Sequence, residues 1–158
     1  MSVLLVGVEP ALARALIPRL LEEGDQVRAV VAADEDAAAF AGAHVATGDA
    51  GDDDLVERAA QGARTIVLGG GAAVRAAALE GAARAGVDRA VLIDGDAESV
   101  PGSMSWVLLV TRRRIRRGPP IEAVAEAVDA ADDMAGEPRL TADLTRSEGW
   151  AALGLTGP

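Results

Sequence analysis

The chain contains no cysteine, no tyrosine and no lysine, and His44 is its single histidine. Without cysteine there is neither a disulfide nor a thiolate metal ligand, and one imidazole cannot make a multi-histidine metal site. Without tyrosine and lysine, every mechanism that needs a phenol or an ammonium as proton donor is excluded. Aromatic residues make up 2% of the chain, and Trp106 and Trp150 lack the interleaved basic residues of a base-stacking platform. They read instead as core or interface anchors. Long apolar runs are missing too. No stretch approaches the roughly 18 to 20 residues of a membrane span, and no basic, apolar leader opens the sequence, so the expected location is the cytoplasm.

What is present is a chain of 158 residues, half of them hydrophobic, with a net charge of −10. That length suits one domain, residues 1–158, with a core that needs no staples. The negative field disfavours general attraction to nucleic acid or anionic lipid, so any anion site has to be local.

A continuous β-prone run from Val3 to Val8 is followed by Pro10 and an apolar stripe of Leu12, Ala13, Leu16, Ile17 and Leu20. This predicts a strand, a tight turn and a helix, with Pro10 in the first helical turn and Gly24 as its stop. Further strands are expected over Gln26 to Val31, His44 to Thr47, Thr65 to Leu68, Ala90 to Ile93 and Trp106 to Val110. Short alanine-rich helices are expected after Asp36 and from Asp52, and longer ones over Ala72 to Ala85 and Ile121 to Met134. Strands alternating with helices indicate parallel βαβ units. The expected fold is therefore α/β, a three-layer, doubly wound and mostly parallel Rossmann-like sheet of about six strands. Asp94 to Ser105 reads as an irregular loop, and Arg139 to Leu144 as a short strand whose place is open.

The order of these pieces resembles the NmrA-like and other atypical members of the short-chain dehydrogenase superfamily. The likeness rests on V-L-L-V-G at Val3 to Gly7, V-R-A-V-V at Val27 to Val31, Gly48 and Asp49, the run Ala85 to Val87, and V-L-I at Val91 to Ile93. Beyond Ile93 the match loosens, and residues 94–158 look like a shortened C-terminal part. The resemblance implies a cofactor, NAD(H) or NADP(H), at the first strand-to-helix turn, where glycines let the backbone approach the pyrophosphate. The turn here reads Gly7, Val8, Glu9, Pro10, Ala11, Leu12, Ala13, so one glycine of G-x-x-G-x-x-G remains. Pro10 removes a phosphate donor, and Glu9 adds charge of the wrong sign. Intact dinucleotide binding and a purely structural turn both stand as readings.

After the second strand come Ala32, Ala33 and Asp34. An acidic residue there suits the free ribose hydroxyls of NAD rather than NADP, although Asp34 to Asp36 also reads as a helix cap. Gly48 and Asp49 fall where the family lies against adenine, with Ala50 a further candidate beside them, and Gly69, Gly70 and Gly71 where it passes the ribose and nicotinamide. Three glycines equally permit a tight turn.

The resemblance fails at catalysis. The family's dehydrogenases use a Tyr-x-x-x-Lys pair on the helix between the fifth and sixth strands and a serine at the end of the fifth. This chain has Asp94 and Gly95 there, and little room for the helix. Ser99, Ser103 and Ser105 read as loop residues. Arg112, Arg113, Arg114, Arg116 and Arg117 place five of fifteen cations within six residues, a solvated loop or a patch for an anion or an acidic partner. Asp49, Asp52, Asp53 and Asp54 lack the spacing of a calcium loop and read as helix capping, with no metal expected.

The leading expectation is a non-catalytic NAD(P)-binding protein, a nucleotide sensor or interaction module. The alternatives are a cofactor-free scaffold for protein contact, such as a homodimer, and a divergent oxidoreductase or isomerase using Asp94. Neither a nucleic-acid nor a membrane partner is expected.

Overall fold

The computed structural model describes residues 1–112 and 118–158. Among these residues the chain forms β1 (Ser2–Val6), α1 (Pro10–Glu22), β2 (Gln26–Val31), a 3₁₀ turn (Ala37–Phe40), β3 (His44–Thr47), α2 (Asp53–Ala60), β4 (Thr65–Leu68) and α3 (Ala72–Arg84). It continues through β5 (Arg89–Ile93), β6 (Ser105–Val110), α4 (Ile121–Asp133), β7 (Arg139–Asp143) and α5 (Ser147–Ala152). The strands form one sheet in the order β3-β2-β1-β4-β5-β6-β7, and every adjacent pair is parallel. The doubly wound expectation holds, with seven strands rather than about six. The seventh is the Arg139 segment, which pairs with β6 from Trp106 to Val110. The helix expected after Asp36 is only a 3₁₀ turn, because four residues precede the turn into β3.

A central parallel strand is covered on both faces, which is why β1 is an unbroken apolar run. Its side chains alternate between two cores. Val3 and Leu5 face α1, α4 and α5, whereas Leu4 and Val6 face α2 and α3. The tail joins the first core: Trp150 is buried, and its indole Nε1 donates to the Leu144 carbonyl at 2.9 Å.

The arrangement of helices has an unusual element. Strand order advances one way from β1 to β2 and the other way from β4 to β5, so two crossovers of the same hand place α1 and α3 on opposite faces. The step from β6 to β7 advances with β4 to β5, yet α4 lies on the α1 face and packs against α1. The β6-α4-β7 crossover therefore has the opposite hand, a rare choice in parallel sheets. Arg89, at the start of β5, fastens it. Its buried guanidinium donates to the Ala131, Asp132 and Gly136 carbonyls at 3.1, 2.6 and 2.8 Å. The last turn of α4 has no basic residue of its own, so Arg89 supplies both the partners and the charge that this helix end calls for.

Between β5 and β6, residues 94–104 form bends and turns but no helix. Ala97, Val100 and Met104 from this segment fill the second core where a crossover helix would ordinarily pack. The short loop expected from the sequence is thus what the structure has, and it leaves the adjacent ends of β5 and β6 open.

At the other edge, Glu23 caps the C-terminal end of α1 beside Asp129 and Asp133 of α4, with Arg19 3.5 Å from Asp129. Loss of hydration and the two neighbouring carboxylates push the Glu23 carboxyl up to about 7 from 4.5. The folded state then holds a proton that the unfolded chain has released, so stability is fully present below about pH 4.5 and declines as pH rises towards 7. Glu23→Gln removes that decline. Thermal unfolding of the variant at pH 8 is expected about 1 to 3 °C above the parent, with the difference shrinking towards pH 4, since an exposed group contributes modestly. Equal melting temperatures at pH 8 would contradict the assignment.

Candidate functional site

In a parallel sheet all strand C-termini emerge at one edge, and the crevice opens where strand order reverses. Here that point lies between β1 and β4, with α1 leaving on one face and α3 on the other. A cleft of about 850 Å³ occupies it, running from the Gly7 to Leu12 turn past Gly69 and Gly70 to the ends of β5 and β6.

The two strand ends meet almost backbone to backbone. A Cβ on Gly7 would stand 2.7 Å from the Gly69 carbonyl oxygen, and one on Gly69 would stand 2.4 Å from that of Gly7. Gly7 also has a φ of +67°, where a side chain is strained. These two glycines are thus required by the fold itself, whatever binds above them. Gly71 differs, because a Cβ there meets nothing within 4 Å.

Pro10 takes the first position of α1, and the helix start has no capping side chain. The Ala13 amide bonds back to the Glu9 carbonyl, which leaves the Ala11 and Leu12 amides as uncapped donors at the cleft. That is the donor set a pyrophosphate requires, and the helix dipole favours its charge. The residues therefore fit a dinucleotide, with one departure in the exposed Glu9 carboxylate on the rim.

The far end of the cleft is built by Asp94, Thr111 and Arg75. Asp94 has a φ of +57° and accepts from the Thr111 amide at 2.8 Å and from its hydroxyl at 2.6 Å, one bond to each carboxylate oxygen. The clamp joins the ends of β5 and β6 across the space the missing helix leaves. Arg75, on α3, donates from Nη2 to the Ile93 carbonyl at 2.7 Å.

Of the residues singled out from the sequence, Gly7, Glu9, Leu12, Gly69, Gly70, Asp94 and Arg112 line this cleft. Pro10 and Ala11 belong to the helix start beside it. Ala32, Asp34, Asp49, Ala50 and Gly71 lie outside its lining, although the first four follow β2 and β3 on the same sheet edge. Asp36 caps the 3₁₀ turn through the Ala38 amide and pairs with Arg14. Asp49 accepts from the Gly51 amide at 2.8 Å. Asp52 caps α2, and Arg84 gathers Asp53, Asp54, Glu57 and Glu80. Hydrogen bonding to Arg84 holds the Asp53 carboxyl below its usual value. Ser105 is buried between Arg89 and the Asp88 carbonyl, whereas His44, Ser99 and Ser103 are exposed. Arg113, Arg114, Arg116 and Arg117 lie outside the described residues. Sequence reasoning missed Arg75 and Thr111, because an arginine in an alanine-rich helix and a threonine after a strand carry no motif.

Fold and edge together define a dinucleotide-binding Rossmann domain. A family model described as NAD(P)H-binding matches residues 8–135, and the chain belongs to that NAD(P)H-binding family. No curated protein matches it in sequence. Among solved structures, it is similar to ChuY, an anaerobillin reductase from Escherichia coli O157:H7, with a TM-score of 0.68 and 19% identity, over 89% of this chain and 95% of that one. Triphenylmethane reductase from Citrobacter sp., complexed with NADP(H), gives a TM-score of 0.70 at 15% identity, covering 90% of this chain and 69% of that one. WbmH from Bordetella bronchiseptica, in complex with NAD+, gives 0.65 at 12%, covering 90% and 74%. The expected resemblance to NmrA-like and atypical short-chain dehydrogenase proteins thus holds in fold, and the family shown is the NAD(P)H-binding one.

Because Gly7 is held by Gly69, Gly7→Ala is expected to lower unfolding free energy by about 1 to 3 kcal/mol in urea titration even without ligand. Gly71→Ala, at an unstrained helix start, is expected to change it by no more than about 0.5 kcal/mol. The reverse order would refute the strand-end contact as the reason for the glycine.

Proposed function

We propose that the protein binds a nicotinamide dinucleotide in this cleft and passes a hydride from it to a small acceptor held at the β5 and β6 ends. The observation that carries this reading is the continuity of the cleft, which joins the uncapped amides of α1 to the open space beyond Ile93. Membership in an NAD(P)H-binding family and likeness to two reductases support it. When bound, the cofactor would supply the hydride chemistry. The chain supplies the rest. The Ala11 and Leu12 amides hold the pyrophosphate, and Asp34, with no basic residue beside it in Ala32 and Ala33, favours NAD(H) over NADP(H). Asp94 acts as a fixed acceptor that orders Thr111. With tyrosine and lysine absent from the chain, the proton that accompanies reduction comes from water in the open cleft.

A second reading is a non-catalytic nucleotide sensor or interaction module, and Asp94 favours it. Both oxygens of this carboxylate are committed to Thr111, so the one side chain placed to replace the missing acid is not free to act as one. Calorimetric titration at low salt with NADH, NADPH and ADP-ribose, followed by NAD(P)H oxidation with a panel of quinones and dyes, separates the readings. Saturable binding, tighter for NADH, with acceptor-dependent oxidation is the expected result. Binding without oxidation by any acceptor would favour the sensor. No binding would remove both and leave a cofactor-free scaffold.

A further inference from the structure

Arg75 has no counter-charge. Among the described residues, Arg14, Arg19, Arg64 and Arg84 pair with carboxylates, whereas Arg75, like Arg28 and Arg89, pairs with none and donates to backbone carbonyl oxygen instead. The nearest acid on the cleft wall, Asp94, is taken up by Thr111. Arg28 and Arg89 each give their donors to several carbonyls away from the cleft, whereas half-buried Arg75 makes one such bond and lines the cleft. Its placement is built, not incidental. Nη2 is anchored on the Ile93 carbonyl at 2.7 Å, and the guanidinium lies across Gly95, where a Cβ would come within 1.7 Å of Nη1. Nε is closed off from solvent and has no hydrogen-bond partner. With Nε closed off, the protons left for a carboxylate are those of Nη1 and the second one of Nη2. Val8, Ile93, Val110, Ile121 and Val124 give the same cleft an apolar lining, beside the polar Asp94, Thr111 and Arg112.

We propose that Arg75 is the recognition residue for a second ligand, a small molecule with an apolar body and a carboxylate, bound at the β5-β6 end of the cleft. It rests on the reading above only in giving the β1 and β4 ends to the nucleotide. In the halves of a doubly wound sheet the dinucleotide's pyrophosphate belongs to the first turn, and Arg75 stands beyond it at the end of β5. The carboxylate would dock on the guanidinium while the body covers Ile93 and Val110. Gly95 keeps the guanidinium in place by having no side chain.

The test uses benzoate and its neutral counterpart benzamide as probes, titrated into the full chain with and without NADH and followed by calorimetry and by the arginine Nε–H resonances in NMR. Benzoate is expected to bind at least about tenfold more tightly than benzamide and to shift one arginine signal, which is absent in Arg75→Gln. Arg75→Gln is expected to weaken benzoate about tenfold or more, Arg75→Lys to restore part of the loss, and Gly95→Ala to mimic it by displacing the guanidinium. ADP-ribose affinity should stay within about twofold in Arg75→Lys and Arg75→Gln, since the pyrophosphate lies elsewhere. No preference for benzoate, or a preference that survives Arg75→Gln in a protein that still unfolds cooperatively, would overturn the proposal. So would an equal loss of ADP-ribose, which would assign Arg75 to a cofactor phosphate. If the parent binds benzoate through Arg75 but no nucleotide, the cofactor reading fails and this one stands.

Discussion

The contact on which the rest depends is the near touch of two backbones, Gly7 at the end of β1 and Gly69 at the end of β4. Neither position tolerates a Cβ, since each would meet the other's carbonyl oxygen at 2.7 Å or less. Close packing of these strand ends fixes the point where the sheet reverses its order. From there α1 departs on one face with its first amides uncapped, and α3 departs on the other carrying Arg75. The cleft exists because two chain segments that cannot separate send their helices in opposite directions.

The second constraint is what the chain omits. A parallel connection ordinarily carries a helix, and the one from β5 to β6 is only an irregular segment, residues 94–104. Apolar side chains from that segment close the core, while the Asp94 to Thr111 clamp holds the two strand ends together. The far end of the cleft therefore stays open, lined by the clamp and by Arg75 and Arg112. The opposite-handed step through α4 belongs to the same design. It places α4 on the α1 face, where Ile121 and Val124 reach the cleft, and Arg89 secures its far end.

The fold was legible because the buried central strands are nearly pure apolar runs and the helices carry clear stripes, punctuated by Gly24, Gly62 and Gly86 at their stops. The edge strand β7 was harder to place. Its run Arg139–Asp143 is short and polar, and its position is set by pairing with β6 rather than by its own pattern. The handedness of α4 leaves no trace in local sequence, since it depends on the shape of the assembled core. At the site, motif reading found Gly7 and Gly69 but could not tell that each is spoken for by the other. Arg75 was invisible, because its place at the cleft depends on how α3 sits against the end of β5. Asp94 was visible as a candidate acid, and only its distances to Thr111 show it serving as a fixed acceptor.

The central claim is that the switch-point cleft is a nucleotide site despite Glu9 and Pro10. Amide hydrogen exchange measured with and without saturating NADH tests it most directly. Slower exchange at Ala11 and Leu12, together with the 69–71 turn, is the predicted result, because these donors and this backbone would be covered. Unchanged exchange at both segments, with protection elsewhere or nowhere, would contradict the account.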